Sequence, residues 1–207
     1  MQKNFLFVLL FCIGFLPVSS IFSVDFSSIR EGDIIFQETR SRQAKALKLA
    51  TKSKYTHAGM IIKRKGKFHV LEALQPVSIT PLRSFIRRGV KRHFVVKRLL
   101  NSEKLLTPAV LKRIKASGKS FLGKNYDYYF GWSDKRIYCT ELIWKAYHRG
   151  AGIKLGKLET LKDFDLSHPF VKKILRQRYG KKIPYNEKVI SVSGMFAAKN
   201  LTTILRD

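Results

Sequence analysis

Cys139 is the residue most able to do chemistry in this 207-residue chain, whose other cysteine is Cys12. A thiolate is a strong nucleophile and a thiol a weak one, so the surroundings of Cys139 decide its use. Taken alone, a free cysteine also reads as a small core residue. The run Tyr138–Arg149 has helical spacing, with Leu142, Ile143, Ala146 and Tyr147 as its inward stripe and Gly150 expected to end it. Cys139 then lies in the first turn. The peptide dipoles there favour an anion and lower a thiol pKa. The free N–H groups of the same turn suit a developing oxyanion. This position turns the reading toward a reactive thiol.

A thiolate of this kind needs a base. The histidines are His57, His69, His93, His148 and His168. His57 stands apart because it begins an apolar run and is followed by Ala58 and Gly59, small neighbours that admit a second side chain. The runs 57–62 and 67–74 flank Arg64-Lys65-Gly66 and predict a β-hairpin, with Gly66 suited to positive φ. A turn centred between Arg64 and Lys65 sets His57 opposite Glu72, with Cβ atoms about 5 Å apart. A slip of one residue would send them to opposite faces. Glu72 lies among Val70, Leu71, Ala73 and Leu74, where an ionised carboxylate needs a partner. It would orient the imidazole, as the third member of a catalytic triad does. His57, His69 and Cys139 lack the spacing of a recognised metal site. Thiol chemistry of this kind calls for no cofactor.

The elements that must position these residues follow in order. A strand is predicted at 33–37, a basic amphipathic helix at 41–52, and a short helix at 81–88 opened by Pro81. Another strand is predicted at 93–99. Helices are expected at 107–122, with Thr107 as N-cap, at 169–179 and at 192–199. This order predicts an α+β domain with an antiparallel sheet packed against helices.

Residues 1–22 predict a secretory signal peptide. Lys3 precedes the apolar run Phe5–Pro17, then come the small residues Val18, Ser19 and Ser20, with cleavage expected between Ser20 and Val24. The apolar run falls short of the roughly 20 residues that span a bilayer. Residues 23–207 then form one exported domain, periplasmic or secreted. Cys139 is its lone thiol, in a compartment where structural cysteines come in pairs. The net charge is +27, of which Lys3 contributes one, so the remainder carries +26. Such a field attracts polyanions. No helix-turn-helix, zinc-finger or RNA-binding signature is present, so no specific nucleic acid is expected. Two readings of the charge stand side by side: binding to anionic lipid or an acidic cell-wall polymer, and a solvated basic surface with no specific partner. No signal in the sequence sets an oligomeric state.

The segments REGDIIFQ (30–37), ATKSKYTHAGMII (50–62), FHVLEAL (68–74), GKNYDYYF (123–130) and IYCTELIWKAY (137–147) resemble the permuted papain-like amidases. These are the YiiX-like branch of the NlpC-type cysteine hydrolase superfamily. LSHPFVKKILRQRYG (166–180) and the tail near 184–197 extend the resemblance over nearly all of residues 23–207. It implies a circularly permuted papain-like fold in which His57 and Glu72 precede the helix bearing Cys139. It also implies Cys139 as nucleophile, His57 as base and Glu72 as the orienting residue, the last being the position that varies in the family. The expected activity is cleavage of an amide or ester through a thioester acyl-enzyme. The expected substrate is a small peptide or amino-acid amide of the cell envelope. The alternatives are a lipid amidase or acyltransferase, as in relatives of lecithin retinol acyltransferase, and a non-catalytic basic protein binding anionic polymers.

Overall fold

The computed structural model describes residues 24–207, so the signal peptide expected at 1–22 lies outside the described residues. The elements run β1 (Ile34–Gln37), α1 (Arg42–Thr51), β2 (His57–Arg64), β3 (Lys67–Glu72), β4 (Ser78–Pro81), α2 (Leu82–Arg88), β5 (Phe94–Leu99), α3 (Ser102–Leu105) and α4 (Pro108–Lys119). They continue with α5 (Cys139–Ala151), β6 (Glu159–Thr160), α6 (Pro169–Tyr179), β7 (Lys188–Val189), α7 (Val192–Phe196) and β8 (Leu201–Arg206). Six strands form one antiparallel sheet in the order β4-β3-β2-β1-β5-β8. The expected α+β class is the observed one.

Alternation along the central strands separates two apolar layers, because successive side chains point to opposite faces. Ala58, Met60, Ile62 and Leu71 join a core containing Ile114 of α4 and Leu142, Ile143, Ala146 and Tyr147 of α5. Ile35, Ile61, Val70 and Val96 face the other way and meet Leu82, Phe85 and Ile86 of α2. A smaller cluster, built on Leu161, Val171 and Leu175, ties α6 to Leu49 and Ala50 of α1.

The predicted stripe of α5 is buried, but so are Thr140, Glu141, Trp144 and Lys145, so this helix is enclosed nearly all round. The Lys145 ammonium is 2.6 Å from Glu141 Oε1 and 2.9 Å from Asp134 Oδ1, which supplies the countercharge a buried cation requires. Gly150 does not end the helix. It packs against α4 so closely that a Cβ there would lie 2.5 Å from the Ile114 Cα. Gly152, with φ +70°, makes the left-handed C-cap instead. The helix expected at 192–199 stops at Phe196. The edge strands β4 and β8, the short pair β6 and β7, and α3 are additional to the elements read from sequence.

Candidate active site

His57 opens β2 opposite Gln37 of β1, and its ring stacks on Phe85 of α2 with centroids 5.6 Å apart. Its Nε2 lies 2.7 Å from Glu72 Oε2. The other carboxylate oxygen accepts a 2.5 Å hydrogen bond from Arg88 Nη2, at the end of α2. His57 is 7% exposed and Glu72 fully buried, so water screens this contact little.

The hairpin register differs from the expected one by two residues. Met60 pairs with Leu71 and Arg64 with Lys67, so the turn residues are Lys65 and Gly66, both at positive φ. Two-residue hairpin turns with both φ positive match the strand twist, which is why the chain reverses there. An even displacement keeps His57 and Glu72 on one face but makes them diagonal neighbours, a separation that long side chains bridge. The same ladder carried one step further sets Gly59 opposite Glu72. A Cβ at Gly59 would lie 2.2 Å from Val70 Cγ1 and 3.4 Å from Glu72 Cβ. Gly59 is thus what lets β3 pack its Val70 side chain against β2 beside Glu72.

Cys139 is the first residue of α5, as expected, and is 3% exposed. The structure brings it against the imidazole from the far end of the sequence. Since Nε2 is taken by Glu72, Nδ1 is the ring nitrogen left for the sulfur. Burial by itself would push the thiol pKa up. The hydrogen bond and charge of His57, with the backbone N–H groups of Ala58 and Thr140, outweigh it and bring the thiol below its ordinary value. For His57, burial by itself would push the pKa down. The hydrogen bonds and charges of Cys139 and Glu72 outweigh it and raise the imidazole to about 9. Burial also works to raise Glu72, and the hydrogen bond and charge of His57, with Thr80 and Arg88, hold it below the usual carboxylate range. All three shifts favour a thiolate–imidazolium pair at neutral pH.

A fourth group meets the sulfur. Tyr126 lies on a segment held beside Ile137 by hydrogen bonds from Ile137 N–H to Asn125 O (3.1 Å) and from Asp127 N–H to Ile137 O (3.1 Å). This brings the phenol to Cys139. Burial, then the Cys139 charge, hold it well above the usual tyrosine range, so it keeps its proton. Its oxygen accepts from Gln43 Nε2 at 3.1 Å, and Gln43 Oε1 accepts from Arg178 Nη2 at 3.2 Å. Arginine only donates, so it fixes the orientation of the Gln43 amide. That amide donates to Tyr126 and leaves the phenolic proton directed at the sulfur. Tyr126, Gln43, Arg178 and Arg88 were not picked out as site residues from sequence. Tyr126 stands in the GKNYDYYF segment, yet a tyrosine in an irregular loop carries no periodic or charge signal.

A cavity of about 90 Å³ has Cys139 in its wall. Its walls come from α1 (Ala46, Leu47, Ala50), from α6 (Val171, Ile174, Leu175), and from Phe130, Leu161, Phe164 and Val189–Val192. The far wall is tied to the nucleophile from both sides. Thr140 Oγ1 donates to Ile190 O at 2.6 Å, and Ile190 N–H donates to Tyr138 Oη at 2.9 Å.

Residues 28–205 match the family model described as permuted papain-like amidase enzyme, YaeF/YiiX, C92 family. The chain is 44% identical over 176 residues to the uncharacterised protein YiiX of Escherichia coli (strain K12), covering 85% of this chain and 86% of that one. A crystal structure of YiiX from Escherichia coli O157:H7, described as a metalloprotein, matches with TM-score 0.82 and 44% identity. That match covers 87% of this chain and 98% of the other.

Proposed function

The chain belongs to the permuted papain-like amidase family of YaeF and YiiX, a family of cysteine hydrolases, and from that premise we propose that it releases an acyl chain from an amide or ester through a thioester on Cys139. The Cys139 thiolate adds to the carbonyl carbon, and the π electrons move to oxygen. The Tyr126 hydroxyl and the free N–H groups of the first turn of α5 hold that oxyanion. When the carbonyl reforms, the bond to the leaving group breaks and the His57 imidazolium donates its proton to that group. The neutral imidazole then takes a proton from water, whose oxygen adds to the thioester and expels the thiolate. Glu72, held by Arg88, keeps Nε2 occupied and Nδ1 facing the sulfur.

The observation that carries this reading is the buried line Glu72–His57–Cys139 ending at an apolar cavity. The chemistry serves a peptide amide equally well. The lining favours the acyl alternative, because few polar groups there would match a peptide backbone. The apolar walls are the surroundings an acyl chain would meet, with Cys139 beside it. Placing the substrate in the cell envelope rests on the export signal read at residues 1–22. The described residues hold no group of three or more His, Cys, Asp or Glu placed for a metal ion, and the donors at Cys139 are engaged with one another. The residues present do not fit a metal centre here, and no step passes through one.

A series of p-nitrophenyl esters tests this. We expect kcat/KM to climb with acyl length and to level off once the chain fills the cavity. Tyr126→Phe should keep that trend while kcat falls by about 10²-fold, the usual effect of losing one oxyanion donor. A flat length dependence, with faster cleavage of amino-acid amides, contradicts the acyl reading and supports the peptide one.

A further inference from the structure

The cavity wall formed by α1 and α6 has a second side. Their sequences, RQAKALKLAT and PFVKKILRQRY, contain no acidic residue. Their apolar positions line the cavity, while Arg42, Lys45, Lys172, Lys173 and Arg176 are exposed. The helices lie side by side, with Lys45 over the Phe170 ring at 4.8 Å and Arg42 Nη2 3.4 Å from Gln177 Oε1. Lys48 and Lys52 pair with Glu38 and Asp165, but no acidic partner lies within 4 Å of the five exposed cations among the described residues. Beside α6, the loop carrying Tyr126 exposes half of Tyr128 and Tyr129, and the Tyr179 hydroxyl donates to Tyr129 O. A basic face flanked by half-exposed tyrosines is the chemistry that anionic lipid headgroups meet.

We propose that the outer face of α1 and α6 is the surface by which this protein docks on an anionic lipid bilayer, bringing the cavity beside Cys139 to its acyl substrate. The proposal rests on the acyl reading of that cavity. An acidic polymer would be satisfied by positive charge anywhere on this basic chain. An anionic bilayer presents negative charge and acyl chains together over a surface as wide as these two helices, which is the pairing they present.

The test compares two triple variants with equal change in net charge. Lys172→Glu/Lys173→Glu/Arg176→Glu alters α6. Arg64→Glu/Lys65→Glu/Lys67→Glu alters the tip of the β2–β3 hairpin, about 20 Å along the strand from His57. Wild type and the hairpin variant should co-sediment with phosphatidylglycerol-containing vesicles and not with phosphatidylcholine vesicles. Raising salt from about 50 mM to about 500 mM should weaken this binding. The α6 variant should lose at least about 30-fold in affinity while hydrolysing a soluble short-chain ester at the wild-type rate. Equal losses in both variants would overturn the proposal in favour of diffuse charge. Salt-independent binding would also overturn it. So would capture by an acidic polymer with no binding to vesicles. If the α6-dependent vesicle binding stands while wild type cleaves no acyl substrate, the docking face holds and the acyl reading falls.

Discussion

Cys139→Ser is expected to lower turnover by at least about 10³-fold, because the residues that act with a nucleophile lose most of their value without it. The hydroxyl replaces the thiol at nearly the same volume in a buried site, so the fold should survive and thermal unfolding should change little. A serine in this place would lack the low pKa that the His57 charge and the N–H groups of Ala58 and Thr140 give the thiol. Steady-state hydrolysis beside a melting curve checks both halves. A variant that unfolds, from a wild type that never reacts with electrophiles, would mark Cys139 as a packing residue.

The second large effect is expected at His57. With the imidazole held at about 9 and the thiol below its ordinary value, the ion pair is present between those limits. Iodoacetamide should therefore label Cys139 faster than an ordinary thiol at any pH below about 8.5. His57→Ala removes the main influence holding the thiol down and leaves burial, which raises it. Labelling should then be slow at neutral pH and rise only in the alkaline range. Turnover should fall as well, since the group that protonates the leaving group is gone. In wild type, hydrolysis should decline as pH climbs through about 9, where the imidazolium is lost although the thiolate persists. An unchanged rate–pH profile in His57→Ala would remove this residue from the site.

Much of this site was legible in the sequence because its parts lie on regular elements. Cys139 at a helix start, His57 at a strand start and Glu72 in an apolar run each carry a local pattern that survives without coordinates. The hairpin parity was legible too, but the register was not. The turn slid to Lys65 and Gly66 because a left-handed conformation at Lys65 matched the strand twist, and the mild strain of a non-glycine residue there left no mark in composition. Strands β4 and β8 escaped for a different reason. β4 ends in Pro81, and β8 exposes Thr202 and Thr203 at the sheet edge, so neither shows the apolar run that marks a central strand. Tyr126 and its link through Gln43 to Arg178 were least legible. They come from a loop, from α1 and from α6, and only tertiary packing joins them. The role of Gly150 was inverted for a similar reason, since close approach of α4 looks in sequence the same as a helix stop.

The central claim is a covalent acyl intermediate on the Cys139 sulfur. Rapid quenching of wild type with a p-nitrophenyl ester, followed by peptide mass spectrometry, tests it most directly. An acyl mass increment is expected on the peptide containing Cys139, removed by neutral hydroxylamine as a thioester is, and absent from Cys139→Ala. Hydrolysis at the wild-type rate by Cys139→Ala, or an adduct that persists in that variant, would contradict it.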